Sequence, residues 1–195
     1  TLNRYVVKYF NGTSWLPVGL PQGNTPIGVG IDIAFHPQNN NAYIVFTDAI
    51  ASAYRVMYFN GTAWTQVGTD VGTTSGGIPS IAFNPVTNFP YIGFVDPAAN
   101  GYSVWRFDGS AWLPVGLSMG TAAGWAGVSL EFNSSSNEPY FAYPDGSSNQ
   151  FVVQRFNGSA WVQVGSNIGF TGGATPCIAF HPTTFNPYIA YSDAN

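Results

Sequence analysis

Short runs of β-branched and aromatic residues alternate with turn residues along the whole chain. Residues 5–10 read Tyr-Val-Val-Lys-Tyr-Phe, which is typical of a strand. Asn11-Gly12 follows, and the next apolar run occupies residues 15–19. Asn-Gly between two strands predicts a hairpin with a type I′ turn, in which both central residues have a positive φ. Since no window combines helical periodicity with capping residues, the pattern predicts an all-β chain.

One ten-residue pattern, Phe-(Asn/Asp)-Gly-x-x-Trp-x-x-Val-Gly, occurs four times, and its phenylalanines lie 49, 48 and 49 residues apart. Each repeat also contains a strand ending in Phe and, after a turn, a strand ending in Asp. Four short strands in a repeat of this length are typical of a β-propeller blade. The copies occupy residues 10–19, 59–68, 107–116 and 156–165.

The repeats predict one β-propeller domain over residues 1–195. Its repeats are residues 5–53, 54–101, 102–150, and 151–195 together with 1–4. We expect four blades of four antiparallel strands, the last blade being closed by strands from both termini, residues 5–19 and 177–193. Two alternatives remain open: a segment of a larger propeller, and two chains that form an eight-bladed ring.

The recurring aromatic residues are expected to form a core between blades. Each repeat contributes six of them, and Cys177, in an apolar strand, is expected to be a small core residue. Pro17 lies inside a short strand, which predicts an edge strand because proline cannot donate a ladder hydrogen bond. In the first repeat the aromatic residues are Tyr5, Phe10, Trp15, Phe35, Tyr43 and Phe46.

Charge is scarce in this chain. Asp, Glu, Lys and Arg make up 7% of residues and the net charge is −4, whereas about a quarter of an ordinary domain is charged. The absence of a basic run argues against nucleic-acid binding, and no apolar run approaches the roughly 18 residues of a membrane span. A surface so poor in charge is weakly protected against self-association. We therefore expect a secreted or cell-surface protein covered by glycans or by other subunits.

Four repeating aspartates form the best-defined polar group. Repeat symmetry predicts a ring of carboxylates, which would suit a cation such as Ca²⁺ or the hydroxyls of a sugar. The simpler interpretation, which we favour, is that each carboxylate caps the turn that follows it. These residues are Asp48, Asp96, Asp145 and Asp193.

Four asparagines match the N-glycosylation pattern Asn-x-Ser/Thr. Three of them lie at the predicted hairpin tips, where Asn-Gly is also required by the turn. Glycans there would supply the solubility that the missing charges do not. The four are Asn11, Asn60, Asn133 and Asn157.

The inventory of catalytic residues is thin. His36 and His181 both precede a proline in equivalent turns and are interpreted as turn residues. Asp32 and Glu131 are the acids on the inner strands, and isolated acids near a channel seldom form a catalytic pair. Since no nucleophile elbow, phosphate loop or zinc spacing is present, we expect no enzymatic activity and no firm metal site or cofactor.

The repeat Phe-Asn-Gly-Ser-Ala-Trp-Val-Gln-Val-Gly, followed by Ile-Ala-Phe-His-Pro and Pro-Tyr-Ile-Ala-Tyr-Ser-Asp, resembles a tandem repeat of large secreted and cell-surface proteins of bacteria and microbial eukaryotes. The resemblance covers essentially the whole chain. It implies a β-propeller but transfers no reaction, because fold alone does not give function.

Two functions are compatible with this sequence. The first is a non-enzymatic extracellular module for adhesion, or a structural subunit of a surface assembly that contacts copies of itself or other surface proteins. The alternative is a lectin that binds glycans at repeated shallow sites between blades, through Trp, Tyr and Asp side chains.

Overall fold

The computed structural model of the chain describes residues 3–25, 30–74, 76–124, 126–172 and 174–194. It is almost entirely β, with one short 3₁₀ helix at Pro97–Ala99. The strands are β1 (Asn3–Tyr5), β2 (Lys8–Phe10), β3 (Trp15–Pro17), β4 (Gln22–Thr25), β5 (Ile31–Phe35), β6 (Ala42–Asp48), β7 (Ala53–Phe59), β8 (Trp64–Gln66), β9 (Ser80–Phe83), β10 (Pro90–Asp96), β11 (Gly101–Phe107), β12 (Trp112–Pro114), β13 (Ser129–Phe132), β14 (Pro139–Asp145), β15 (Gln150–Phe156), β16 (Trp161–Gln163), β17 (Cys177–Phe180) and β18 (Pro187–Ala190).

Three complete antiparallel sheets of four strands follow one another in the chain. Sheet 1 has the order β5-β6-β7-β8, sheet 2 contains β9 to β12, and sheet 3 contains β13 to β16. The short fourth strand of each sheet lies at its edge and contains Pro114 or a glutamine at the equivalent position. This is the arrangement that the repeats predict for a blade.

The two ends of the chain carry half-sheets. β2 and β3 form the N-terminal hairpin, and β17 and β18 form the C-terminal hairpin. In the described part of the chain the two hairpins do not pair with each other, so the predicted last blade, built from both termini, is not formed. The reason is that each hairpin packs on its neighbour in sequence: the N-terminal hairpin lies against sheet 1 and the C-terminal hairpin against sheet 3.

The hydrophobic core is divided among the junctions between successive sheets, as expected. Sheets 1 and 2 share one cluster that includes Tyr54 and Phe94, and sheets 2 and 3 share another that includes Tyr102 and Phe141. At the N-terminal hairpin, however, the equivalent side chains are exposed: Trp15 is 65% exposed and Phe10 53%. Phe35, at the end of β5 in sheet 1, is 61% exposed as well.

A tryptophan on the edge strand joins each sheet to the one before it. Its indole N–H donates to a valine carbonyl oxygen of the preceding repeat: Trp112 to Val67 at 2.9 Å, for example. The glycine after that valine is needed for two reasons. Gly68 has a φ of +65°, and a Cβ on it would lie 3.0 Å from Cδ1 of Trp112. The other two bonds join Trp64 to Val18 at 2.8 Å and Trp161 to Val115 at 2.7 Å.

A tyrosine makes a second hydrogen bond across each junction. The Tyr54 hydroxyl donates to the Val95 carbonyl oxygen at 2.9 Å, and the Tyr102 hydroxyl donates to that of Pro144. Phe151 occupies the equivalent position in sheet 3. Each junction between complete sheets is therefore fixed by apolar packing and by two hydrogen bonds, of which only that of Trp161 is partly exposed.

The hairpin tips differ from the predicted type I′ turn. Phe10 pairs with Trp15, so four residues form the loop, and the Asn11 N–H donates to the Ser14 carbonyl oxygen at 3.1 Å. Gly12 has a φ of +98°, but Asn11 does not have a positive φ. Instead, the Asn11 side-chain oxygen accepts hydrogen bonds from the N–H groups of Thr13 and Ser14. That local bond favours the longer loop.

The turn between the first and second strand of each sheet is stabilised by one side chain. Asn84 accepts the N–H groups of Val86 and Thr87, both at 2.9 Å. The Nδ1 atom of His36 accepts the N–H group of Gln38 at 3.2 Å in the equivalent turn. The histidines thus lie in turns and make turn hydrogen bonds there.

This interchange of Asn and His can be tested by substitution. We expect Asn84→His to change the free energy of unfolding by less than about 0.5 kcal/mol, because the imidazole accepts the same bonds. Asn84→Ala removes the acceptor and is expected to cost about 1 kcal/mol. Urea unfolding of both variants measures the difference, and equal losses would show that the acceptor is irrelevant.

Candidate functional site

The side chains with the best-defined binding geometry lie in a cleft between sheets 1 and 2, with a volume of about 540 Å³. Its floor is aromatic. Tyr43 on β6 is directly opposite Tyr58 on β7, and their rings stack at 5.5 Å and 26°. Tyr43 is also held edge-on against Phe83 of sheet 2, at 5.0 Å and 87°. The strand register therefore builds a supported pair of tyrosine rings at this junction.

Amide side chains and one imidazole surround the tyrosine pair. Asn39, Asn41 and the imidazole of His36 come from the turn of sheet 1, and Asn88 comes from the turn of sheet 2. Gln66 donates from Nε2 to Asp70 at 2.8 Å, which leaves its amide oxygen as an acceptor. Amides both donate and accept, so the rim suits a polar, uncharged ligand. The list of cleft residues is completed by Val67, Gly68, Phe89, Pro90, Phe107 and Gly109.

Tyr43 remains a neutral hydrogen-bond donor at physiological pH. Partial burial raises the pKa of Tyr43, and the electrostatic effect of the neighbouring Tyr58 raises it further. The equivalent of Tyr58 is Arg106 in sheet 2 and Arg155 in sheet 3, where Arg155 pairs with Glu138 at 2.6 Å. The Tyr43–Tyr58 pair thus distinguishes the junction of sheets 1 and 2 from that of sheets 2 and 3, where the stacked pair Tyr102–Tyr143 is fully buried in the core.

The four repeating aspartates lie at or beyond the other end of the second strand of each repeat. Asp48, Asp96 and Asp145 accept hydrogen bonds from the turn that follows them, whereas Asp193 accepts one from the Phe170 N–H, 23 residues earlier. Although burial acts in the other direction, hydrogen bonds from Ser147, Thr121 and Ser148 lower the pKa of Asp145. A role in binding a cation or a sugar stays a prediction. The contacts are Asp48 with the N–H groups of Ile50 and Ala51 and with the Arg55 guanidinium, Asp96 with the Ala98 N–H, Asp145 with the Thr121 and Ser148 N–H groups, and Asp193 with the Phe170 N–H.

Metal-ligand groups are absent from the ranges described above. No three His, Cys, Asp or Glu side chains of those residues come together in a way that could hold a metal ion. No helix within those ranges is long and apolar enough to span a membrane. Among the described residues the four aspartates therefore form no cluster that could hold a metal ion.

The possible glycosylation sites differ in exposure. Asn11, Asn60 and Asn157 are exposed at hairpin tips. Asn133 is only 8% exposed, and its Nδ2 donates to the Phe185 carbonyl oxygen at 3.1 Å. A glycan at Asn133 would have to break that bond, whereas the three tip asparagines are open to modification. Their occupancy stays a prediction.

The first strands of the sheets surround an axial cavity of about 430 Å³. Asp32 and Glu131 both line it. Burial raises the pKa of Glu131, and the negative charge of Asp32 raises it further, whereas a hydrogen bond from the Phe132 N–H lowers it. The Asp32 carboxylate accepts hydrogen bonds from the Ser80 hydroxyl and the Ile81 N–H, at 3.0 and 2.9 Å. Asp32 thus links neighbouring sheets. Cys177, expected in the core, is exposed because successive side chains of a strand point to opposite faces, and its neighbour Ile178 is the one that packs against sheet 3.

Sequence reasoning found only part of the cleft. It proposed tyrosines between blades as binding residues but did not single out Asn39, Asn41 or Asn88. Those amides belong to turns, and turn chemistry alone explains an asparagine there. Three of the tryptophans, which were considered for sugar binding, lie instead in the junctions between sheets: Trp64, Trp112 and Trp161.

Comparison with solved structures supports a β-propeller fold. The chain is similar to the fucose-specific lectin from Aleuria aurantia, with a TM-score of 0.68, 12% identity, and coverage of 92% of this chain and 60% of the lectin. A second structure of the lectin of that organism, described as a six-bladed β-propeller, gives a TM-score of 0.68 at 13% identity, with coverage of 91% and 60%. This chain therefore spans about 60% of the length of those lectins.

A more distant similarity is to an enzyme. The exo-β-1,3-galactanase from Phanerochaete chrysosporium gives a TM-score of 0.57 at 13% identity, over 97% of this chain and 48% of the enzyme. No family model and no curated protein sequence matches the chain. At these identities the similarities establish the fold alone.

Proposed function

We propose that the chain is a carbohydrate-binding module of the lectin type, which binds neutral sugars in the cleft between sheets 1 and 2. The observation that carries the proposal is the Tyr43–Tyr58 pair, surrounded by uncharged amides. A sugar ring has an apolar face that packs on an aromatic ring and hydroxyls that bond to amides, and ligand sites combine these two features. The shallow, open cleft suits the end of a glycan.

The fold similarity to fucose lectins favours sugar binding over a purely structural or adhesive role. L-Fucose is therefore the first sugar to test, because those lectins are described as fucose-specific. The similarity to a galactanase raises a hydrolytic alternative, but Asp32 is engaged with Ser80 and Ile81 and lies outside the tyrosine cleft. Binding without chemistry is the function that this cleft supports best. An extracellular or cell-surface location agrees with it and stays a prediction.

Binding to a glycan array that includes fucosylated glycans, followed by calorimetry with α-methyl-L-fucoside, tests the proposal. We expect Tyr58→Arg to weaken binding by at least about tenfold, which corresponds to about 1.4 kcal/mol. The variant should fold, because arginine occupies the equivalent position in sheets 2 and 3.

Ile50→Arg is the matched control, since Ile50 is 67% exposed beyond the other end of β6. It adds the same charge and should leave binding unchanged. An array without any bound glycan would contradict the lectin proposal. Binding that survives Tyr58→Arg would place the sugar outside this cleft.

A further inference from the structure

The N-terminal and C-terminal hairpins expose the two halves of one blade. In sheet 1 the second strand, β6, pairs with the third strand, β7. The C-terminal hairpin ends with a second strand, β18, and the N-terminal hairpin begins with a third strand, β2, and in the described residues neither has this partner. We propose that a second copy of this chain docks head to tail, so that β2 and β3 of one copy complete the sheet begun by β17 and β18 of the other.

The register of the proposed pair follows from the complete sheets. Val45 and Val56 are directly opposite each other in sheet 1. Their equivalents, by the repeat spacing, are Ala190 on β18 and Val7 just before β2. Exposed strand edges are ready sites for pairing with another chain. The exposed edge of β18 in one copy is matched by the exposed edge of β2 in the other copy.

The tryptophan of the junction supplies a second, independent match. Trp15 is 65% exposed, and among the described residues its indole N–H has no hydrogen-bond partner. The acceptor that the repeats assign to it is the Val164 carbonyl oxygen, followed by Gly165. A Cβ on Gly165 would meet nothing within 4 Å, whereas one on Gly68 would meet Trp112 at 3.0 Å. Docking of a second copy would place Trp15 over Gly165, as the three internal tryptophans lie over their glycines.

The exposed apolar surface is the third observation. Tyr9 is 51% exposed and Tyr188 is 62% exposed, while Ile33 on the uncovered face of sheet 1 is 45% exposed. The residues at the equivalent positions of the other repeats pack between complete sheets; Ile81 and Leu130, the equivalents of Ile33, are buried there. In the described part of the chain the two hairpins do not pair with each other within one molecule. A second copy is the partner whose surface carries the complementary half.

Docking would also build a second tyrosine cleft, a consequence that rests on the proposed function. By the repeat spacing, Tyr188 of one copy corresponds to Tyr43, and Tyr9 of the other corresponds to Tyr58. His181 and Asn186 correspond to His36 and Asn41. Sugar titration of the assembly should therefore saturate at about two sugars per chain rather than one. The docking itself is decided by the covalent test below, which uses no sugar.

Disulfide trapping between two variant chains tests the docking. One chain carries Val7→Cys and the other Ala190→Cys, both with Cys177→Ser, which restores the residue found at Ser80 and Ser129. Facing residues of antiparallel strands lie within disulfide reach. We expect oxidation of the mixture to give a covalent heterodimer, and Val86→Cys in place of Val7→Cys, at an exposed turn, to give none.

Sedimentation equilibrium of the unmodified chain should give a mass of two or more chains. Trp15→Ala should weaken association by more than about tenfold, without changing the unfolding of the dissociated chain. A single-chain mass at all accessible concentrations would overturn the proposal. So would an internal disulfide in a chain carrying both cysteines together with no heterodimer in the mixture, because the chain would then close on itself.

Discussion

Truncation of Trp112 to alanine is expected to reduce the free energy of unfolding by about 3–5 kcal/mol, which is typical of a buried tryptophan. Trp112 is 6% exposed and packs against Phe107 with ring centroids 5.4 Å apart. Its loss leaves a cavity between sheets 1 and 2, since the ring covers Gly68. It also leaves the buried Val67 carbonyl oxygen without its 2.9 Å donor, which adds a desolvation cost.

Two variants separate these contributions. Trp112→Phe keeps most of the packing and removes the indole N–H, so it should account for about 1–2 kcal/mol of the loss. Leu113→Ala, one residue later at a 38% exposed position, should cost less than about 1 kcal/mol. Urea unfolding followed by tryptophan fluorescence and circular dichroism measures all three. If Trp112→Ala and Leu113→Ala were equally mild, the junction between sheets would not be the stabilising unit of this fold.

The fold could be predicted because the same strand-forming runs and turn residues recur in four repeats. The strand runs, the edge position of Pro114 and the core between sheets all follow from residue type and spacing, and each is present in the structure. The type I′ turn was wrong because the Asn11 side chain competes for backbone N–H groups, a contact that a two-residue motif does not reveal.

Closure of the last blade was wrong for a different reason. Pairing of β18 with β2 requires two hairpins that are distant in the sequence to meet, and each of them packs on its neighbour in sequence. How the sheets are placed depends on the contacts at each junction. Gly93, for example, accommodates Phe141 of the next sheet, because a Cβ at Gly93 would lie 2.3 Å from the Phe141 ring. Contacts of this kind determine how one sheet packs on the next. Their combined effect over all junctions cannot be read from the sequence of one repeat.

The candidate site shows the same limit. The tyrosines were suggested by their recurrence, yet the stacking of Tyr43 on Tyr58 depends on the register of β6 with β7 and on support from Phe83 of another sheet. The two other complete sheets carry arginine in place of Tyr58. The proposed binding site therefore rests on a departure from the repeat, whereas the repeat itself explains the architecture.

Stability is expected to fall steeply between about pH 10 and pH 12, where the junction tyrosines ionise. Burial raises the pKa of Tyr54 and of Tyr102 to about 12, and both side chains are fully buried. An unfolded tyrosine ionises near pH 10. The folded state therefore holds the proton more tightly, so its stabilisation is complete below about pH 10 and is lost as the pH rises towards 12.

The size of the effect follows from the pKa difference. About two units correspond to about 2–3 kcal/mol for each tyrosine, or about 5 kcal/mol for the two together. This is a large part of the stability of a typical domain. Urea unfolding at a series of pH values, with tyrosinate absorbance recorded in parallel, measures both the loss of stability and the ionisation that causes it.

Replacement of both tyrosines by phenylalanine provides the control. Phe151 shows that the third sheet already accepts this side chain at the equivalent position. The double variant Tyr54→Phe with Tyr102→Phe should lose about 1 kcal/mol per hydrogen bond at neutral pH. It should also show a flatter dependence of stability on pH above 10, because two of the tyrosines with a raised pKa are gone, while others such as Tyr5 and Tyr143 remain. An unchanged alkaline slope in this variant would assign the alkaline sensitivity to groups other than Tyr54 and Tyr102.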